Sequence, residues 1–367
     1  MAYGFANVID YARNELDSFD EREVCRVDSL VFSCLSYLRL PQAAQAASDG
    51  EEGLPIKDLY RADWFEELCD RTFDPQSSRE LLSVVAANPR FRDVRVMDYV
   101  SRINEVAEEQ FSALAFRLSP TSTFVAFRGT DNTLVGWKED FNMSFKTAIP
   151  SQVAAARYLE HVANKTEGSI WCGGHSKGGN LAVYAGMMCD PSMRARIVRC
   201  FSHDGPGFSE KTMTDPLWAG TDTLVDKTIP QSSVVGMVFE RQEQDFTVVH
   251  SRGTGLGQHD PYKWEVEGLD FAMDDRLDKG ANLFDSSINA WLTNATDEER
   301  ERFVDAVFSV IEASGEPTFG SIKANWRTAV PRMTTAASKL DARDRELVFQ
   351  AMGDVTRAML PSRPQKG

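Results

Sequence analysis

Five residues of this chain, Gly174-His175-Ser176-Lys177-Gly178, leave little freedom in what can surround them. They form a G-x-S-x-G pentapeptide between a short apolar run, Ile170-Trp171-Cys172, and a helix-like segment that opens Gly179-Asn180-Leu181-Ala182. A serine hydroxyl is a poor nucleophile unless the backbone holds it at a sharp strand-to-helix turn beside a base. Gly174 and Gly178 are the elbow glycines of such a turn, where a Cβ would collide, and the serine itself has to accept a strained backbone. With 24 glycines in the chain, the bare pentapeptide arises by chance in roughly one such sequence in ten. Its context therefore carries the argument.

That context reads as alternating strand and helix. Segments 94–100, 112–118 and 123–127 are rich in β-formers, and Ser119-Pro120-Thr121-Ser122 supplies a hairpin turn between the last two. Residues 152–162 read as amphipathic helix, 169–173 as a short buried strand, and 180–188 as the helix after the elbow. Further strands are expected at 197–202, 234–239 and 246–250. This pattern predicts an α/β fold, a mostly parallel central sheet flanked by helices, with ligands at the carboxyl ends of the strands. We expect one domain over 1–360. It comprises an N-terminal helical segment (1–88), a sheet core (90–265) and a C-terminal helical segment (282–360) covering the sheet, with a flexible tail at 361–367. Residues 1–45 read as two helices and 54–88 as helical again. Thr296-Asp297-Glu298-Glu299 is a capping box that opens a helix over 300–313, and 342–359 is a second amphipathic run.

Composition excludes several classes. The chain has 367 residues, enough for a sizeable core, and a net charge of −15 from 55 acidic and 40 basic residues. Such a surface repels phosphate backbones and anionic headgroups, so nucleic acid is not expected as a partner. No apolar run reaches the 18 or so residues of a membrane span, so stable membrane insertion is not expected either. The first 19 residues carry Asp10, Glu15 and Asp17 and do not read as a signal peptide. Six cysteines without C-x-x-C spacing read as buried reduced thiols, which suggests a cytoplasmic protein with no metal and no cofactor.

A catalytic serine needs a base, an acid to orient that base, and donors for an oxyanion. There are five histidines. His161 falls on an amphipathic helix and reads as a surface side chain. His175, inside the elbow, should point away from Ser176, and His203 should face away from Asp204. Of the two that follow in the order serine, acid, histidine, His250 sits at a strand end. His259 stands on a loop, Gly255-Leu256-Gly257-Gln258-His259-Asp260, and is the expected base. Asp204, in His203-Asp204-Gly205-Pro206-Gly207, ends a strand at the same sheet edge and is the expected acid, with Asp226, Asp245 and Asp260 as rivals. An Asx turn closing that loop is the alternative role for Asp204. Oxyanion donors are expected from the N–H groups of Lys177 and Thr130, the latter ending Phe127-Arg128-Gly129-Thr130.

These residues carry a resemblance. Phe124-Val125-Ala126-Phe127-Arg128-Gly129-Thr130, with Trp137 and Asp140, followed by the elbow through Ala182, resembles the class-3 (fungal-type) lipases, which are α/β-hydrolases acting on acylglycerols and related esters. The whole chain, from about residue 8 to beyond residue 310, more closely resembles a bacterial family of lipase-like proteins of unknown function. Its hallmarks here are Val27-Asp28-Ser29-Leu30, Leu35-Ser36-Tyr37-Leu38, Asp204-Gly205-Pro206-Gly207-Phe208, Pro230-Gln231-Ser232-Ser233-Val234-Val235-Gly236 and Gln258-His259-Asp260-Pro261-Tyr262-Lys263-Trp264. Two departures matter. Class-3 lipases take their acid from an Asp-x-Val-Pro segment, which corresponds here to Ser232-Ser233-Val234-Val235, so the acid must move one strand earlier, to Asp204. Lys177 replaces the usual apolar residue after the nucleophile, and a cation at the pocket mouth would favour anionic or polar acyl substrates.

Together these readings predict a serine hydrolase that cleaves carboxylic esters through an acyl-enzyme on Ser176, with a small-molecule ester or lipid-like substrate. The segment 131–140 is short and mixed in polarity, which favours soluble or dispersed esters over bulk fat. The alternatives are a hydrolase-fold binding protein without turnover, and a thioesterase or peptidase using the same triad.

Overall fold

The computed structural model describes residues 6–274 apart from 73, 132, 144, 145, 147, 209, 219–221, 234 and 238–245, then 277 and 295–345 apart from 317, 318 and 343. Eight strands lie in the sheet in chain order: β1 (Leu54–Pro55), β2 (Arg95–Asn104), β3 (Glu109–Ser119), β4 (Ser122–Phe127), β5 (Ser169–His175), β6 (Ile197–His203), β7 (Val225–Pro230) and β8 (Phe246–Val249). Pairing is antiparallel from β1 to β4 and parallel from β4 to β8. The expected hairpin is present, with Ser119 opposite Ser122 across its turn.

β4 explains the layering. Strand side chains alternate between faces, and every residue from Thr123 to Phe127 is buried, so the strand is covered on both sides. Val125 and Phe127 join a core built with helices Pro150–Lys165 and Lys177–Met188. These helices connect β4 to β5 and β5 to β6. Right-handed crossovers that advance in one direction across a sheet fall on one face. The opposite face is left to the N-terminal helices Val8–Asn14, Arg26–Leu35 and Pro75–Ala87, which pack on Phe124 and Ala126.

Phe32 centres that second core, fully buried, its ring 4.7 Å from Phe116 and 4.9 Å from Phe124. Phe32→Ala is expected to destabilise the protein by about 3–5 kcal/mol, because it removes both the transfer energy and the packing of the ring. The measurement is the denaturant midpoint at constant slope, and a shift under 1 kcal/mol would show that this core can collapse around the gap.

Several elements differ from the sequence expectation. β7 reads poorly as a strand because Asp226 and Lys227 interrupt its apolar pattern; Asp226 pairs with Arg26 at 2.8 and 2.9 Å, and buried Lys227 donates to the Gly236 carbonyl at 2.8 Å. The strand expected at 234–239 falls largely outside the described residues, and 235–237 form a bend and turn. The 54–88 segment opens on β1 and then breaks into short helices at Ile56–Leu59 and Phe65–Cys69 before Pro75–Ala87. Helix Gln42–Ser48 adds a third helix to the two expected over residues 1–45.

The Thr296 capping box forms as expected and opens helix Asp297–Glu312. That helix packs against Trp326–Lys339 through Ala306, Val310 and Ala337. Its other side places Phe303, Val304 and Phe308 against Phe141, so this helix packs on helix Leu134–Asn142. The run expected at 342–359 and the tail at 361–367 lie almost wholly outside the described residues.

Candidate active site

The chain turns at Ser176 between the end of β5 and the first residue of helix Lys177–Met188. Ser176 has φ 59° and ψ −134°, a conformation that costs of order 1–3 kcal/mol for a residue with a side chain. The turn is held by the Ser176 N–H donating to the His203 carbonyl and the Gly179 N–H to the Ser176 carbonyl, each at 2.9 Å. A Cβ on Gly174 would overlap the Gly178 main chain and stand 2.6 Å from the Phe127 carbonyl oxygen; one on Gly178 would overlap that same oxygen. Gly178→Ala is therefore expected to push the elbow off β4, lowering the thermal midpoint by several degrees and abolishing any reactivity of Ser176. An unchanged midpoint would show slack that these distances do not allow.

Register delivers the second residue. β5 and β6 pair with His175 opposite His203, so Ser176 and Asp204 leave adjacent strand ends. Asp204 also sits at positive φ, 51°, and its side chain is buried. One carboxylate oxygen accepts from the Ser233 hydroxyl and from the Gly236 N–H (3.1 Å); the other lies 2.6 Å from His259 Nδ1. The carboxylate thereby sets the histidine tautomer, with the proton on Nδ1 and a free lone pair on Nε2. Ser233, from the segment after the next strand, thus gives its hydroxyl hydrogen bond to Asp204. Among the described residues no hydrogen bond joins Ser176 Oγ to the His259 ring.

The loop carrying His259 is tied down from behind. His175 Nε2 donates to the His259 carbonyl at 2.8 Å, the two rings lie 4.4 Å apart, and Tyr37 Oη donates to His175 Nδ1 at 3.1 Å. Trp264 Nε1 donates to the Gln258 carbonyl at 2.8 Å, and Gln258 Oε1 accepts the Ser232 N–H at 2.7 Å. His175 thus points away from Ser176, as its place in the elbow predicts, but into the support of His259. Neither Tyr37 nor Ser233 stood out as functional in the sequence; each acts through neighbours far away in the chain.

His203, beside Asp204, is bonded to Ser29 Oγ at 2.6 Å. Burial, with a smaller contribution from the nearby Arg26 charge, lowers its pKa to about 3; burial first and then the His259 charge hold that of His175 well below 6.5. Both imidazoles stay neutral in the folded protein, while the unfolded chain takes up their protons near pH 6.5. Stability is therefore fully present above pH 6.5 and falls as pH drops from there toward 3. Asp140, raised by burial to about 6, works in the opposite sense between its unfolded value near 4 and pH 6, and offsets about one of the two protons. The thermal midpoint is expected to fall from pH 7 to pH 4.5, less steeply in His203→Gln; equal slopes would exclude His203 as a source.

Thr130 and Lys177 come together in an unexpected way. The Thr130 hydroxyl donates to the Asp140 carboxylate. Lys177 is 1% exposed, so the expected cation at a pocket mouth is corrected: its ammonium points inward. It donates to the Gln110 carbonyl (3.0 Å), Gln110 Oε1 (2.8 Å) and Glu139 Oε2 (3.0 Å). A buried carboxylate is what makes that interior position tolerable for an ammonium. As the first residue of its helix, Lys177 keeps a main-chain N–H with no intrahelical partner.

The rival residues are engaged elsewhere. His250 Nδ1 lies 3.0 Å from Glu265, and His161 is an exposed side chain 3.3 Å from Asp98. Asp226 pairs with Arg26, and Asp260 caps Tyr262 and pairs with Lys263 at 3.2 Å. Asp245 lies outside the described residues. No described helix is long and apolar enough to cross a membrane.

The sheet, its flanking helices and the strand–serine–helix elbow make this a lipase-like α/β-hydrolase fold. No curated protein matches the chain. Among solved structures it is similar to the Rhizomucor miehei lipase in its propeptide complex (14% identity, 43% of this chain and 57% of that one, TM-score 0.32). M37 lipase matches at 12% identity over 57% of this chain and 68% of that one, TM-score 0.35. A triacylglycerol lipase from Penicillium expansum matches at 15% identity over 48% and 75%, TM-score 0.29. The chain thus spans just over half the length of the Rhizomucor protein. The model of the Mbeg1-like family matches residues 85–309, more than half of the chain, and the protein belongs to that family.

Proposed function

We propose that this protein is a serine hydrolase that cleaves carboxylic esters through an acyl-enzyme on Ser176. The observation that carries the reading is the 2.6 Å contact of His259 Nδ1 with buried Asp204, at a strand end adjacent to a serine held at φ 59°. Ser176 Oγ attacks the ester carbonyl carbon while its proton passes to His259 Nε2. Asp204 stabilises the imidazolium without taking its proton. The Lys177 and Thr130 N–H groups receive the oxyanion. Collapse of the tetrahedral intermediate breaks the C–O bond to the leaving alcohol, which takes the proton from His259, and water repeats the sequence to free the acid.

The substrate class is a small-molecule ester or a dispersed lipid-like ester. With Lys177 turned inward, the earlier case for anionic acyl groups loses its basis.

The test is a fluorophosphonate probe applied to the wild-type protein and to Ser176→Ala, with the labelled peptide located by mass spectrometry. Labelling confined to Ser176 and lost in the variant supports the reading. A folded wild-type protein that stays unlabelled would overturn it in favour of a hydrolase-fold binding protein without turnover.

A further inference from the structure

The residue after the nucleophile carries a charge that the chemistry above does not use. Replacing a buried ion pair by apolar side chains of similar volume is often neutral or stabilising, so Lys177 and Glu139 are not explained by stability. Their connections are more telling. Lys177 Nζ reaches Glu139 Oε2 at 3.0 Å and Asp140 Oδ1 at 3.7 Å, with Gln110 of β3 supplying two further acceptors. Glu139 is itself held by the Gln110 N–H at 3.0 Å and the Ser151 N–H at 2.9 Å, and both members of the pair are fully buried. Asp140 takes the Thr130 hydroxyl. A continuous polar path therefore runs from Lys177, the residue after Ser176, through Asp140 to Thr130. The path has no slack at its far end: a Cβ on Gly136 would stand 2.9 Å from Thr130 Cγ2 and 3.0 Å from Gln110 Oε1.

We propose that Lys177, clamped by Glu139 and Asp140, is a positioning residue that fixes the two oxyanion donors, the Lys177 and Thr130 N–H groups, relative to each other. This rests on the serine-hydrolase reading. An apolar side chain at 177 would fill the space, but it would leave helix Leu134–Asn142 and Thr130 tied to the elbow only by packing. Donors that stabilise an oxyanion must be placed to within a fraction of an ångström, and misplacement by about 1 Å can cost on the order of 10²-fold in rate.

The experiment measures fluorophosphonate labelling of Ser176 as a saturating rate (kinact) and a half-saturating concentration (KI) in wild type, Lys177→Met and Lys177→Met/Glu139→Gln. Reagent binding does not call on the oxyanion site, whereas bond formation does. Lys177→Met is expected to lower kinact by about 10²-fold and to leave KI within about threefold. The single variant strands a buried carboxylate and can fail to fold; the double variant removes both charges and is expected to show the same loss of kinact. A folded variant whose kinact stays within about threefold of wild type overturns the inference, as does an equal loss in kinact and 1/KI, which would mark general disorder of the site. Failure of both variants to fold would assign the pair to stability and overturn it too. An unlabelled wild-type protein sinks the hydrolase reading, and this inference with it; a labelled wild type with unimpaired variants sinks this inference alone.

Discussion

Replacing His259 with alanine is expected to lower ester turnover by roughly 10⁶-fold, the scale on which loss of a general base acts when the nucleophile is a serine. Without a lone pair poised to take its proton, the Ser176 hydroxyl is close to inert at neutral pH. His259 is suited to that loss being chemical rather than structural. Its side chain is 18% exposed and adds little to the core, and the loop is anchored by its main-chain carbonyl on His175 Nε2. The thermal midpoint should therefore move by only a few degrees. Turnover of a short-chain p-nitrophenyl ester is the measurement, with Ser176→Ala as the floor. A folded His259→Ala protein that keeps more than about one per cent of wild-type turnover would remove His259 from the mechanism.

Asp204→Asn should cost about 10⁴-fold while the protein stays folded. The asparagine carbonyl can still accept from Ser233 and Gly236, so its amide nitrogen is turned toward His259 Nδ1. An amide N–H there demands a lone pair on Nδ1, which moves the ring proton to Nε2, the nitrogen that should receive the serine proton. The histidine remains in place in the wrong tautomer. The loss should fall on kcat with KM little changed, because the substrate meets the same surface. Near-normal kcat would mean that another carboxylate orients His259. Asp226 and Asp260 are both committed to basic partners, Arg26 and Lys263, which makes that outcome a demanding one to explain.

Much of this site was legible in order of sequence. A Gly-x-Ser-x-Gly after a buried strand and before a helix implies an elbow because only glycine tolerates the approach of β4, and the close contacts of Gly174 and Gly178 with the Phe127 carbonyl oxygen give that reason its distances. Chain order and turn chemistry single out Asp204 and His259 from their rivals, and the fold brings the two side chains to 2.6 Å of each other. Other features left no trace in the local pattern. β7 hid its strand behind Asp226 and Lys227: Asp226 is paired with Arg26, far away in the chain, and Lys227 donates to the Gly236 carbonyl across a loop. Lys177 reads as a cation at the pocket mouth because nothing nearby in the sequence announces Glu139 as its buried counter-ion.

The division has a physical basis. Local sequence determines what backbone sterics and hydrophobic periodicity control: the alternation of strand and helix, the glycine-flanked elbow, and the chain order of Ser176, Asp204 and His259. Tertiary structure alone decided what depends on partners brought together from far apart. That includes the support of His259 by Tyr37 and His175, the gift of a hydroxyl from Ser233 to Asp204, and the inward turn of Lys177. A buried polar group is stable only when its hydrogen bonds are completed, and which residue completes them is a property of the packed fold, not of any stretch of chain.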